Sequence, residues 1–297
     1  EGDAYNQVKL QNSLRNIRNL GFFSDVSLEK KPGSSDEQSI IEIAVREQST
    51  GSLAVGLGYS SIDKSSFSVG INEKNFLGTG RSVGFSASVS GKKSNFNLSL
   101  TEPFFLDRNL SASVNIFTSK LEGKSVTTDQ QGIGFGLGFR AANDVYHRLT
   151  YNLTENQTNQ TTNNSASSTG ERSEKLVSSA IGYRLGIEKR DNRFDPSDGY
   201  FAEISETYSG VGGDVNFLRS VLRGAYYKPV SFDRFVLGAR AETGYIDGFD
   251  ESVTQSNRFL LGGNKVRGFD GSGIGPRDNT SEGAVGGNQY YAGSFEI

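Results

Sequence analysis

The sequence predicts a mostly β protein: an antiparallel transmembrane β-barrel, about twelve of whose strands are present, preceded by part of a small α+β unit. Three observations carry that prediction. From Gly51 onward apolar residues recur with a period of two, in run after run. The two alternate faces differ in kind, one apolar and aromatic, the other built of glycine, serine and charged side chains. Connections alternate between short turns and long polar segments, the asymmetry of a spanning barrel.

Composition narrows the class further. Among 297 residues there are 37 Gly, 20 Phe and 12 Tyr but only 5 Pro, which suits many strands joined by turns. No run of eighteen apolar residues exists, so a membrane helix is excluded. The negative mean hydropathy does not exclude a barrel, whose alternation averages away. A formal charge of −3 gives no electrostatic reason to expect nucleic acid. Absence of Cys removes disulfides, thiolate catalysis and Cys-type metal sites. Met is also absent and no leader pattern is present, so Glu1-Gly2-Asp3 reads as the interior of a longer protein. The alternating stretch Tyr290 to Ile297 has no turn after it, and the chain is expected to stop short there too.

Residues 1–49 form the α+β unit. Leu10, Leu14 and Ile17 make one apolar helical stripe, with Asp3 or Asn6 as candidate cap and Gly21 past its end. Phe23, Val26 and Leu28 then mark one strand; Ile41, Ile43 and Val45 mark another beyond the turn Lys31 to Ser35. Residues 50–297 form the barrel. Its first strand alternates Leu53, Val55, Leu57 and Tyr59 with Ala54, Gly56 and Gly58, and its second carries Phe67, Val69 and Ile71. Val83 to Val89 and Phe96 to Leu100 repeat the pattern. Further strands read as Leu110 to Thr118, Ile133 to Phe139, Val145 to Leu153, Val177 to Ile187, Tyr200 to Tyr208, Val215 to Val230, Arg234 to Tyr245 and Val285 to Ile297. Short turns such as Leu106 to Asn109 and Ser231-Phe232-Asp233 contrast with two long connections, Glu155 to Glu174 and Asp247 to Gly283. Asn, Thr and Ser crowd 156–169; the sequon-like triplets there read as a solvated loop.

The charged face decides between architectures. Arg219 and Arg223 share one face of a strand, and Arg234, Arg240 and Glu242 share a face of the next. A soluble sandwich buries one face of each sheet and cannot bury this many charges there, whereas a barrel with a wet bore keeps both faces solvated appropriately. Alternating strands are common in sandwiches, and the glycines at 132, 134, 136 and 138 tilt the balance to a barrel. Within the second long connection, Leu260 to Pro276 sets Arg267 between small or apolar residues, directly before Gly268 and Phe269. Such a segment can fold back and seat a planar, always-charged fork against carboxylates. An ordinary Gly-rich surface loop is the competing reading.

Taken together, the motifs resemble the Omp85 superfamily of outer-membrane proteins. Asn19 to Val26 looks like the last periplasmic POTRA domain, and Gly51 to Tyr59 like the first barrel strand. Asn75-Phe76-Leu77-Gly78-Thr79-Gly80, Thr101-Glu102-Pro103-Phe104-Phe105 and Asp191 to Tyr200 match recurring turns of that family. Val266-Arg267-Gly268-Phe269, with Gly273 to Pro276 and Gly286 to Tyr290, is the most specific match. The resemblance implies a sixteen-stranded barrel, of which about four strands are absent here. It implies that the loop bends into the lumen and that Arg267 meets acidic residues on late strands, past Ile297. Arg219, Arg223, Arg240 and Glu242 are the lumen charges expected to border it.

By the same resemblance the function is assembly and insertion of outer-membrane proteins, without covalent chemistry or cofactor. The strand bearing Gly51, Leu53, Val55, Gly56, Leu57, Gly58 and Tyr59 would be the seam that templates an incoming strand, aided by local perturbation of the bilayer. Its glycines weaken strand packing, or merely relieve crowding inside the barrel. Expected partners are unfolded outer-membrane proteins, accessory assembly lipoproteins, periplasmic chaperones and outer-membrane lipid, with the N-terminal part in the periplasm. Export of a protein, autotransporter assembly and a passive porin are the alternatives. An enzyme finds no support: His147, the sole histidine, shares a face with Leu149 and Tyr151, and no Ser–His set stands beside it. Asp191, Asp195 and Asp198 suggest calcium, but their Pro-Ser-Asp-Gly setting reads better as a turn.

Overall fold

The structure, a computed structural model, describes residues 6–35, 38–60, 64–122, 126–142, 144–164, 168–230, 235–249, 253–263, 265–269, 272–277 and 283–297. Helix α1 (Gln7–Asn19) begins where the Asn6 side-chain oxygen accepts the Lys9 N–H at 3.0 Å, and Gly21 with φ +70 ends it. Leu14 of its apolar stripe is buried, as is Val26, whose carbonyl accepts a hydrogen bond from the Arg18 guanidinium at 2.8 Å. Strands β1 (Phe23–Pro32) and β2 (Ser39–Glu47) pair antiparallel beside it. Asp3, the other candidate cap, lies outside the described residues.

The remaining strands form one sheet in chain order, every neighbour antiparallel: β3 (Gly51–Ser60), β4 (Lys64–Glu73), β5 (Ser82–Ser90), β6 (Lys93–Glu102), β7 (Leu110–Glu122), β8 (Val126–Ala142), β9 (Val145–Asn164), β10 (Ser168–Glu188), β11 (Gly199–Gly213), β12 (Phe217–Val230), β13 (Phe235–Gly248) and β14 (Gln289–Glu296). This is the wall of an antiparallel β-barrel, with β3 and β14 at its two edges. Up to β13 the up-and-down order follows from hairpin connections, which leave each strand the next one as its neighbour; β14 pairs with β13 across the long segment between them.

Register fixes the faces. Leu57, Phe67, Val89 and Phe96 share the outer face, as do Ile181, Tyr183, Tyr208 and Tyr245. These side chains are exposed although apolar, with Leu57 at 84%. Opposite them the inner face carries Asn115, Arg148, Arg184, Glu203, Arg223 and Glu242. Glycine on this face makes room for large polar groups. A Cβ on Gly186 would lie 2.1 Å from the Tyr146 ring, and Tyr146 there donates to Glu203 at 2.7 Å. One on Gly136 would lie 3.0 Å from the Arg148 guanidinium.

Three sequence expectations change. The polar run Glu155 to Glu174, expected to be a loop, continues the hairpin of β9 and β10, which stay paired as far as Asn164 opposite Ser168. A backbone ladder needs no apolar side chain once it leaves the bilayer, so composition did not mark its end. The strand expected from Val215 starts at Phe217, because Asp214 folds the turn back: its N–H donates to the Val177 carbonyl at 2.7 Å and its carboxylate accepts the Val177 N–H at 2.8 Å. The strand expected from Val285 starts at Gln289, since Gly287 bridges to Phe259 instead. In the Asp191 turn the carboxylate accepts from the Ser197 hydroxyl and from the Ser197 and Asp198 N–H groups, holding its pKa well below the usual carboxylate range. Its oxygens are thereby occupied by the turn itself. The turn Ser231-Phe232-Asp233 and Arg234 lie outside the described residues.

Replacing Gly186 by leucine should displace Tyr146 and lower stability by about 1–3 kcal/mol through overpacking. Urea unfolding of the folded barrel in lipid checks this, and the added substitution Tyr146→Ala should recover most of the loss.

Candidate functional site: the loop on the inner face

Between β13 and β14, described residues of the connecting segment lie against the inner face of the wall, Phe259 and Lys265 among them. Three isolated bridges shape the segment: Phe259 with Gly287, Leu261 with Ile274, and Arg277 with Ala284. Backbone N–H groups of Lys265 and Val266 both donate to the Gly262 carbonyl, at 2.8 and 2.9 Å, closing a tight turn before the Arg-Gly-Phe sequence. Gly268 with φ +89 reverses the chain at the tip.

An apolar cluster anchors the base of the loop. Val253 and Phe259 from the loop pack with Val215, Phe217, Ile246 and Tyr290 from the wall, and all six are buried. Gly244 lies beneath them; a Cβ there would stand 2.3 Å from the Tyr290 ring and 2.8 Å from Phe259. The Arg219 guanidinium covers the other face of this cluster, 4.4 Å from the Phe259 ring.

Polar contacts hold the next turn. Lys265 Nζ lies 2.6 Å from Glu242 Oε1 and 2.8 Å from the Tyr290 hydroxyl, and Tyr290 donates to the same carboxylate. Arg223 Nε approaches Glu242 at 3.4 Å and its Nη1 approaches Glu203 at 3.7 Å, with Arg184 Nε at 3.6 Å from that second carboxylate. A chain of alternating charge therefore runs around the inner face from β10 to the loop, each carboxylate shared by two cations.

Arg267 sits differently. Its side chain is 94% exposed, and its acidic neighbour among the described residues is Glu296, at 3.9 Å. Arg240 shares that carboxylate at 3.5 Å and also donates to the Tyr227 hydroxyl at 2.8 Å. The acidic partners expected for Arg267 would lie on strands past Ile297; two residues earlier, Lys265 meets Glu242 and Tyr290 on the wall. Val266 is half-buried, and Gly268 and Phe269 are exposed. The structure places Arg219 against Phe259 and Glu242 against Lys265 of the loop, with Arg223 beside Glu242, while Arg240 reaches Glu296 and Tyr227 on the wall. Lys265, Phe259, Tyr290, Glu203 and Glu296 were missed; Glu242 and Glu296 share the parity of the inner face, a signal that points to the second once the first is chosen.

Gly51 to Tyr59, the strand expected to template, lie on β3, which pairs with β4. A Cβ on Gly56 would meet Ser68 Oγ at 2.5 Å and one on Gly58 would meet Ser66 Oγ at 2.8 Å. These glycines therefore leave space for the neighbouring serines as well as thinning the strand.

A family model described as the Omp85 superfamily domain matches residues 75–297. The chain belongs to the Omp85 superfamily. This Omp85 chain is 30% identical over 302 residues to the outer membrane protein assembly factor BamA of Neorickettsia risticii, covering 100% of the chain and 40% of that relative. The crystal structure of BamA from Haemophilus ducreyi lacking POTRA domains 1-3 superposes with a TM-score of 0.83 at 22% identity, over 99% of this chain and 62% of that one. CdiB from Acinetobacter baumannii superposes less well, with a TM-score of 0.55 at 15% identity, over 91% of this chain and 52% of that one. These structures share the fold of this chain, which spans 40% of its curated relative.

Lys265→Ala should free the loop tip while leaving the wall folded, at a cost of about 2 kcal/mol for a charge-assisted pair. Limited proteolysis within 249–288 should speed up accordingly, and Glu242→Gln should have a smaller effect of the same sign.

Proposed function

We propose that this chain forms the membrane part of an outer-membrane protein assembly factor, which folds and inserts other β-barrels. The barrel sits in the outer membrane, and residues 1–49 are read as part of a POTRA domain on the periplasmic side. The observation that carries the reading is the match of residues 75–297 to the Omp85 superfamily domain, with relatives named as outer membrane protein assembly factors; the templating strand in this reading is β3, which faces β4 across glycine and serine on its inner side. An unpaired ladder in hydrocarbon costs several kcal/mol per group, so an incoming strand gains by pairing there. Recognition through main-chain groups suits clients of unrelated sequence. The outer face of β3, with Leu53, Val55, Leu57 and Tyr59, would stay in contact with lipid while the ladder extends.

Unfolded outer-membrane proteins are then the substrates, delivered by periplasmic chaperones and assisted by accessory lipoproteins docked to the periplasmic part. Arg267, sharing Glu296 with Arg240, would hold the tip of the inner loop against β14 and so fix the strand flanking it. No group in this scheme forms or breaks a covalent bond.

Depleting the protein in cells should lower the folded fraction of many outer-membrane barrels at once, measured by heat-modifiable migration of each. Loss of a single secreted client would indicate export instead, and loss of none would indicate a passive pore. Arg267→Ala should weaken assembly with the wall still folded; wild-type growth and unchanged migration would count against its role.

A further inference from the structure

Two of the motifs in the barrel, Asn75 to Gly80 and Thr101 to Phe105, have no part in the loop or the β3 edge. In the structure they form the first two turns at the periplasmic end of the wall, between β4 and β5 and between β6 and β7. They are tied to each other: Arg81 Nε lies 2.7 Å from Glu102 Oε2, and the other oxygen of that carboxylate accepts the Phe104 N–H at 3.3 Å. Arg81 is thereby held through Nε, while its Nη atoms carry no partner among the described residues.

Both turns also place a leucine in the left-handed region, Leu77 at φ 54, ψ 29 and Leu106 at φ 57, ψ 35. Those side chains are 84% and 69% exposed. A bulky residue in that conformation is unfavourable, and exposing it to water adds to the cost. Between the turns and the N-terminal unit lies a groove of about 780 Å³. Leu100, Ala112 and Val114 of the outer face form its back, Phe104 and Leu106 one side, and Leu20 and Phe22 of the helix end the floor. The Phe22 ring reaches to 4.0 Å of a Cβ built on Gly80, so the N-terminal unit closes the groove from below. Arg81 and Glu102 stand at its mouth.

We propose that this groove binds one glycerophospholipid of the periplasmic leaflet. An acyl chain would lie along Leu100, Ala112 and Val114, which continue the apolar face that the bilayer already covers. The phosphate would sit on the free Nη arms of Arg81, which Glu102 holds in place, and Leu77 and Leu106 would enter the acyl boundary beside it. The apolar back fixes the occupant as a lipid, because a free phosphate ion would leave it wet. Through Leu20 and Phe22 the same lipid would set how the periplasmic unit rests against the membrane.

Native mass spectrometry tests this on the whole chain released from detergent with palmitoyl-oleoyl phosphatidylethanolamine. One lipid should be retained, with Arg81→Gln weakening retention about tenfold for a lost charge-assisted contact. Leu106→Ser should weaken it as well, and Lys120→Gln should leave it unchanged; heat-modifiable migration reports that each variant is folded. Equal retention by wild type and Arg81→Gln, equal binding of a phosphate-free diacylglycerol, or displacement by millimolar inorganic phosphate would overturn the proposal. If Arg81→Gln does not fold, Leu106→Ser decides, and unchanged retention in that variant overturns it. The readout is lipid binding, so it stands apart from whether the protein assembles other barrels.

Discussion

The constraint on which this structure depends is the backbone hydrogen bond in hydrocarbon. An N–H or C=O without a partner there costs several kcal/mol, so each strand must pair along its whole membrane length. The sheet meets that demand with nearest-neighbour antiparallel ladders from β3 to β14. Pairing of this kind asks nothing of side chains, and the sequence is free to place leucine, phenylalanine and tyrosine outward and serine, glycine, arginine and glutamate inward. That freedom explains why mean hydropathy is negative in a membrane protein.

The inner face then has its own problem. Charges such as Glu203 and Glu242 sit in a partly enclosed space and must be compensated locally. The solution is sharing: Arg184, Arg223 and Tyr146 converge on Glu203, and Arg223, Lys265 and Tyr290 on Glu242. Glycines beneath the large groups, at 136, 186 and 244, allow side chains to lie flat against the wall. Within this chain the loop joins the network through Lys265 and buries Phe259 against the wall.

How much of this was legible in the sequence follows from the same physics. Period-two alternation marks a strand wherever one face meets lipid, so the apolar parts of β3 to β13 could be read with boundaries close to those observed. The signal vanishes where both faces meet water, which is why the polar half of the β9 and β10 hairpin was taken for a loop. It also vanishes where chain geometry overrides pattern, as at Val215 and Val285, whose apolar side chains belong to a folded-back turn and to a returning loop. At the site, Arg219, Arg223, Arg240 and Glu242 were found by parity alone. Lys265 was not, because which cation meets which carboxylate depends on the path of a loop without periodicity.

Stability is consequently uneven around the wall. The central hairpin joins strands of 20 and 21 residues, with ladders on both flanks through much of their length. β3 has 10 residues and faces β4 across glycine and serine on the inner side. Few side-chain contacts there reinforce the ladder, so opening β3 costs little beyond its backbone bonds, and those are recovered in full if another strand supplies them. In the proposed function this strand, held upright in the bilayer beside a wall tied together by the charge network and the anchored loop, is where a pairing partner would be exchanged.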